Sequence, residues 1–278
     1  MSDTNHSTHR AQAARTADWD HSSHESFYEH YATGSLSPQA LQRLRSIRDN
    51  ILQTLRRDGS SAERLDVADI GCAAGTQSML WAELGHCVHG LDVNEPLLRL
   101  ARERSASAGY SIDFQVGSAT ELPWEDESMD VVLALELLEH VEEWKTCLKE
   151  FVRILRPRGV LFLATSNKLC PLQQEFRLPL YSWYPGAVKR HFEALAKTSR
   201  PELANYAKYP AVNWFSFYAL RDSLASGGFR CLDRFDLLEM KHKGGAAKLA
   251  VGLIRALPPL RWLGHVCTPW TILLAVKS

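Results

Sequence analysis

The sequence lacks an excess of charge of either sign, any paired-cysteine spacing and any long apolar run. Each absence removes a class of function. Lysine plus arginine equals aspartate plus glutamate at 32 each, so no net field recruits nucleic acid. The six cysteines, Cys72, Cys87, Cys147, Cys170, Cys231 and Cys267, include no CxxC pair. Reduced thiols and a cytoplasmic setting are therefore expected. No apolar stretch reaches the roughly 18 residues of a membrane span. The first 27 residues have no apolar core, so a secretory signal is not expected. What remains is ordinary for a globular domain: 45% hydrophobic and 23% charged over 278 residues.

Residues 1–24 are polar and histidine-rich, and read as a mobile tail whose pairs His6/His9 and His21/His24 are solvated. Residues 25–58 turn helical, with Leu41, Leu44, Ile47, Ile51 and Leu55 at three- and four-residue steps. Strands and helices then alternate through residues 60–166. "RLDVADI", "CVHGLDV", "IDFQVGSA", "SMDVVLALEL" and "VLFLATS" are the strands. Asn94 should cap the helix that follows the second of them. Parallel neighbours require crossovers, so this rhythm predicts an α/β fold with a doubly wound, mostly parallel sheet.

From 167 to 218 the alternation breaks. This stretch holds 11 of the 26 aromatic residues, with Pro171, Pro179, Pro185, Pro201 and Pro210 among them. It reads as an insertion forming a substrate cap. Residues 219–278 resume with a helix ended by Gly227, a sixth strand "RCLDRFDLLEM", an apolar helix "AAKLAVGLIRAL" over 246–257 stopped by Pro258 and Pro259, and a seventh strand. Residues 25–278 thus make one seven-stranded domain.

The informative stretch is "VADIGCAAGT". In such sheets ligands bind beyond the carboxyl ends of the strands, next to the first. Gly71 and Gly75 would let backbone approach a ligand, and Asp92, ending the second strand, could accept both ribose hydroxyls. A nicotinamide site would show G-x-G-x-x-G around a pyrophosphate. Here Asp69 stands two residues before Gly71, which suits an ammonium group instead. Amino acid, ribose and adenine together point to S-adenosylmethionine. Asp69 could alternatively cap the helix.

"VADIGCAAG", "GLDVN", "GSATELPWEDESMDVVLALELLEHV" and "CLKEFVRILRPRGVLFLAT" closely resemble class I S-adenosylmethionine-dependent methyltransferases, with a Rossmann-like fold. The nearest branch includes the ubiquinone- and menaquinone-pathway enzymes. The resemblance implies that Asp69, Gly71, Cys72, Ala73 and Gly75 wrap the methionine end and Asp92 holds the ribose. It places Val93 against the adenine and Ser118 and Ala119 in the adenine loop, with Glu136 and Leu137 on the cofactor wall. Ser118 departs from the usual aspartate.

His140, at the end of the fourth strand, is the candidate general base, or else only packs or orders the next helix. If residues 136–140 are helical, Glu136, Glu139 and His140 share a face that could bind a divalent metal. Otherwise Glu139 is an ordinary ion-pair partner. Phe27, Tyr28 and Tyr31 resemble the family's N-terminal lid, and Arg48 could reach a carboxylate or be solvated. Trp183, Tyr184, His191, Tyr206, Tyr209 and Trp214 could line an acceptor pocket or form the insertion's own core. Residues 244–265 place Lys248 and Arg255 on a narrow polar stripe. They suggest peripheral contact with the inner face of a membrane, or simple packing between the last two strands.

The expected activity is O-methylation of a small aromatic, prenylated or lipid-linked acceptor, without nucleic acid. N- or C-methylation and a non-catalytic cofactor-binding module remain open at this point.

Overall fold

A computed structural model describes residues 33–59, 63–204, 210–240 and 243–278. Seven strands form one sheet: β1 (Asp66–Ile70), β2 (Cys87–Asp92), β3 (Asp113–Val116), β4 (Met129–Leu135), β5 (Leu155–Ser166), β6 (Phe229–Asp233) and β7 (Trp270–Lys277). Their order is β3-β2-β1-β4-β5-β7-β6. β1, β2 and β3 pair in parallel, and β7 runs antiparallel to both β5 and β6. This is the doubly wound, mostly parallel sheet that the alternation implies.

The chain divides into two compact units. The first comprises Met1–Leu133 and Thr146–Arg156. In it, helix α1 (Pro38–Arg57) buries Leu44, Ile47, Ile51 and Leu55, the face its periodicity predicts. Helices α2 (Thr76–Ala82), α3 (Glu95–Ser107) and α4 (Trp144–Ile154) complete it. Asn94 caps α3 by accepting the Leu97 N–H at 3.1 Å. Val131, Val132 and Leu133 of β4 are wholly buried, as a strand apolar on both faces requires. Arg48 is also buried. Its guanidinium donates to the Leu80 carbonyl at 2.8 Å and pairs with Asp49, so it fixes α1 to α2 and is not solvated.

The second unit comprises Ala134–Lys145 and Pro157–Ser278. Helices α5 (Gly186–Thr198), α6 (Phe217–Leu224), α7 (Gly245–Ala256) and α8 (Pro258–Val266) belong to it. Three boundaries differ from the sequence reading. The left-handed residue after α6 is Gly228 (φ +72°), where Gly227 was expected, and a short 3₁₀ turn separates it from the helix. β6 stops at Asp233 because that carboxylate accepts the N–H groups of Phe235 and Asp236 and turns the chain. Pro258 opens α8, since its fixed φ and missing N–H suit a first helical turn as well as they end the previous helix.

Gly90 of β2 is a steric constraint in the first unit. A Cβ there would lie 2.5 Å from Cδ1 of the buried Phe114 ring and 3.0 Å from Cys72 Sγ. Gly90→Ala should destabilise the protein by about 1–3 kcal/mol through overpacking. In a Phe114→Leu background the same change should cost clearly less. Denaturant unfolding of the four proteins tests this, and equal costs in both backgrounds would refute the steric account.

Candidate functional site

β1 delivers Asp69 to its carboxyl end fully buried. The Ser78 hydroxyl, in the first turn of α2, donates to it at 2.5 Å. Asp69 therefore ties the strand to the helix. Burial pushes its carboxyl up to about 6 against that hydrogen bond, and the charge of Asp92 adds to the rise.

The turn between them is tight. The Gly71 and Cys72 N–H groups both donate to the Leu91 carbonyl, at 2.7 and 3.2 Å, and Gly75 N–H donates to Cys72 O at 2.9 Å. Gly71, Ala73 and Gly75 all have positive φ, 75°, 47° and 71°. Gly75 is bare for a reason of its own. A Cβ would sit 2.8 Å from the Phe114 ring and 2.9 Å from Ala101, both side chains of the protein. The Cys72 thiol packs with Leu98, Ala101 and Phe114, and burial raises its pKa well above the ordinary thiol value.

Asp92 ends β2 with both oxygens engaged. Ala73 N–H donates to one and Asn94 N–H to the other, each at 2.8 Å. The motif turn and the acid 19 residues on are thus one hydrogen-bonded assembly. Burial raises the Asp92 carboxyl despite three backbone donors, from Asn94, Ala73 and Val93. Among the described residues no lysine, arginine or histidine shifts the Asp69 or Asp92 carboxyl. Gly117 N–H donates to Asp92 O at 3.0 Å, which holds the neighbouring loop to β2. In that loop Ala119 is buried and the Ser118 hydroxyl pairs with Thr120 Oγ1 at 2.7 Å. Val93 is half-buried beside Asn94.

In the second unit, residues 136–140 form a turn, not a helix. Glu136 has φ +54° and Leu137 is half-buried. Glu136, Glu139 and His140 therefore share no helical face. Among the described residues no group of three or more His, Cys, Asp or Glu side chains is placed to hold a metal. Glu139 is fully buried and has no ion-pair partner among the described residues. One oxygen accepts the Thr165 hydroxyl at 2.7 Å and the other has no hydrogen-bond partner. Burial raises its carboxyl to about 8, and Glu175 and Glu136 add to the rise. The backbone carbonyl of Glu139 accepts the Val212 and Asn213 N–H groups, and the Asn213 amide donates to Leu138 O and Val141 O. Residues 211–215 thereby brace the turn that carries the half-buried His140.

The aromatic segment has its own nucleus. Phe176 stacks on Tyr181 with centroids 4.1 Å apart, and Trp214, Tyr184 and Phe192 pack around them. Tyr184 and Trp214 belong to this nucleus. Trp183 and His191 are exposed outside it, and Trp183 Nε1 donates to Leu169 O. Tyr31, with Phe27 and Tyr28, lies outside the described residues, as do Tyr206, Tyr209 and the tail over 1–24.

Sequence reasoning passed over Ser78, the burial of Glu139, and Lys189. The Lys189 ammonium lies 4.0 Å over the Trp214 ring and donates to Ser182 O at 2.9 Å. Burial lowers its pKa to about 8. The signal was there: Lys189, Phe192 and Ala196 follow the i, i+3, i+7 register of α5, and His191 does not.

Glu139 makes stability pH-dependent with a definite sign. Its folded pKa exceeds the unfolded one, so its contribution is complete below about 4.5 and is lost as pH rises through about 8. Glu139→Gln mimics the neutral acid. Its melting temperature should match the parent near pH 4, exceed it by a growing margin as pH rises from about 4.5, and hold a constant margin above about pH 8. Parallel melting curves for the two proteins across that range would contradict the assignment.

Residues 68–163 match the family model described as a methyltransferase domain. The ubiquinone biosynthesis O-methyltransferase of Rhizobium etli is 36% identical over 129 residues, 45% of this chain and 52% of that protein. The chain thus spans about half the length of the curated relatives it matches. Magnesium protoporphyrin IX methyltransferase from Synechocystis PCC 6803, solved with bound SAH, superposes with a TM-score of 0.54 at 16% identity. That match covers 96% of this chain and 100% of the other. An S-adenosylmethionine-dependent methyltransferase from Mesorhizobium loti gives 0.52 at 18% identity, covering 82% and 98%. At these identities the structural likeness is one of fold. Residues 68–163 of this chain therefore match the methyltransferase domain model, and the chain carries the seven-stranded α/β fold seen in solved methyltransferases.

Proposed function

We propose that the chain is an S-adenosylmethionine-dependent methyltransferase acting on the oxygen of a small aromatic, prenylated or lipid-linked acceptor. The observation that carries this reading is the pair Asp69 and Asp92. Asp69 is buried and Asp92 half-buried, both with raised pKa values, and no cation among the described residues acts on either. A ligand bearing an ammonium group and two ribose hydroxyls supplies the positive charge and the donors that the pair lacks. Asp69 would face the amino-acid end and Asp92 the ribose. The Gly71–Gly75 turn would give the backbone approach, with Val93, Ser118 and Ala119 toward the base. Glu136 and Leu137 remain the expected wall residues. When bound, S-adenosylmethionine supplies an electrophilic methyl group on a cationic sulfur.

The chain's own chemical task is then to orient the acceptor and remove its hydroxyl proton. His140 is the proposed base, an imidazole on a braced turn. The acceptor side is assigned to the aromatic segment, with Trp183, Tyr184, His191, Trp214 and Tyr31 as the proposed contacts. The oxygen preference draws support from the relatives, which are named as O-methyltransferases.

Titration calorimetry with S-adenosylhomocysteine tests the cofactor half. Asp92→Ala should weaken binding about 10- to 100-fold, the effect of losing charge-assisted hydrogen bonds. Binding to the parent protein should also release about half a proton near pH 6 and almost none near pH 8, because the ligand's ammonium lowers the Asp69 pKa. Runs in two buffers of different ionisation enthalpy measure this. Proton uptake, or no release at either pH, would sink the ammonium assignment. With an accepting phenol in hand, His140→Ala should cut turnover about 100-fold or more while leaving S-adenosylhomocysteine affinity unchanged.

A further inference from the structure

Helices α7 and α8 are mounted inside out. The stretch from Gly245 to Val266 is the apolar segment between β6 and β7, and packing against those strands would turn its leucines inward. The structure turns them outward. α7 buries no residue at all. Leu249 is 67% exposed, Leu253, Leu257 and Leu260 are also exposed, and Trp262 and Leu263 are each 50% exposed.

The polar residues of the pair instead hold it to the unit. Arg255 donates to the carbonyls of Phe235 (2.8 Å) and Leu238 (2.9 Å). Arg261 donates to Asp233 at 2.6 Å and pairs with Asp236. The buried His265 ring meets the same Asp233 oxygen at 2.9 Å and stacks on Phe217. The Asn167 amide donates to the His265 carbonyl at 2.8 Å. Arg255, although exposed, turns its guanidinium back onto these carbonyls, and the polar stripe read from the sequence divides. Lys248 and Lys243 are exposed.

We propose that this outward face of α7 and α8 seats on an anionic lipid bilayer. Two observations choose the occupant. After Glu239 the chain carries six lysines or arginines and no aspartate or glutamate, in a protein whose total charge is balanced. Arg261 is neutralised by Asp233 and Asp236, whereas Lys243 and Lys248 are exposed with no ion pair among the described residues. That combination suits anionic headgroups over an acyl boundary, with a half-exposed tryptophan at the margin. A second copy fits worse, because a two-fold contact would set the same lysines against each other. The helices lie in the plane of the surface. At 12 and 9 residues they reach about 18 and 14 Å, far short of the roughly 30 Å hydrocarbon core. One consequence rests on the methyltransferase reading: the acceptor class narrows to amphiphiles held in the membrane.

Vesicle flotation of the full chain tests the seat without any methyl transfer, so its failure and the failure of the methyltransferase reading are separate results. The protein should float with phosphatidylcholine vesicles containing about one third phosphatidylglycerol, and much less with phosphatidylcholine alone. Leu249→Glu with Leu253→Glu should weaken partitioning at least about tenfold. Both positions are exposed, so melting temperature and S-adenosylhomocysteine affinity should not change. Lys243→Glu with Lys248→Glu should abolish the preference for anionic vesicles. Three results would overturn the proposal. One is no flotation with either vesicle. Another is equal partitioning of the parent and both double variants. The third is a dimer in analytical ultracentrifugation that anionic vesicles fail to dissociate and the leucine variant dissolves.

Discussion

Two carboxylates, Asp69 and Asp92, set the terms for the first unit. Asp69 is buried and Asp92 half-buried at the ends of adjacent parallel strands, and the charge of Asp92 raises the cost of ionising Asp69. The surrounding chain softens that cost with neutral donors only: Ser78 Oγ for Asp69, and the Ala73, Val93 and Asn94 backbone for Asp92. These same donors build the β1–α2 turn and start the segment before α3. The local fold and the acidic site are therefore one set of hydrogen bonds, and neither acid can be replaced without loosening a turn.

The second unit shows the opposite treatment of a buried acid. Asp233 is as buried as Asp69 but has Arg261, His265 and two backbone N–H donors, and its carboxyl is held well below the ordinary range. It holds α8 against β6. Glu139 has one hydroxyl donor and a bare second oxygen, and its carboxyl rises to about 8. One acid is completed by the chain and the other is left incomplete beside a histidine on a braced turn. That contrast sets the two carboxyls on opposite sides of the ordinary range.

Much of this was legible in the sequence because it depends on local periodicity. The apolar stripe of α1, the Asn94 cap and the doubly buried β4 each follow from side-chain spacing and burial. The acid-glycine turn and its distant acid were legible as a pair because strand ends and short turns leave little freedom. What could not be read was direction. Consecutive glycines at 227 and 228 do not say which one turns left-handed. Pro258 fits the end of one helix and the start of the next equally well. Residues 136–140 carry an i, i+3, i+4 pattern that a helix would use, but the positive φ at Glu136 breaks it. In α7 and α8 the apolar stripe was visible, but its outward orientation depends on Asp233, Asp236 and two carbonyls contributed by an earlier strand and turn.

An arginine chooses its side by where its hydrogen-bond acceptors lie, and this decides the orientation of the final helices. Phe235, Leu238 and the turn after β6 present the carbonyls and carboxylates that Arg255 and Arg261 fill. Turning the helices over would bury the leucines but expose those acceptors' partners and leave Asp233, fully buried, short of a cation. Breaking a buried pair costs about 3–5 kcal/mol, comparable to the gain from burying two leucines at about 1.5–3 kcal/mol each. The balance is close enough that a surface able to cover the leucines, without disturbing Asp233, completes the arrangement at no cost to the core.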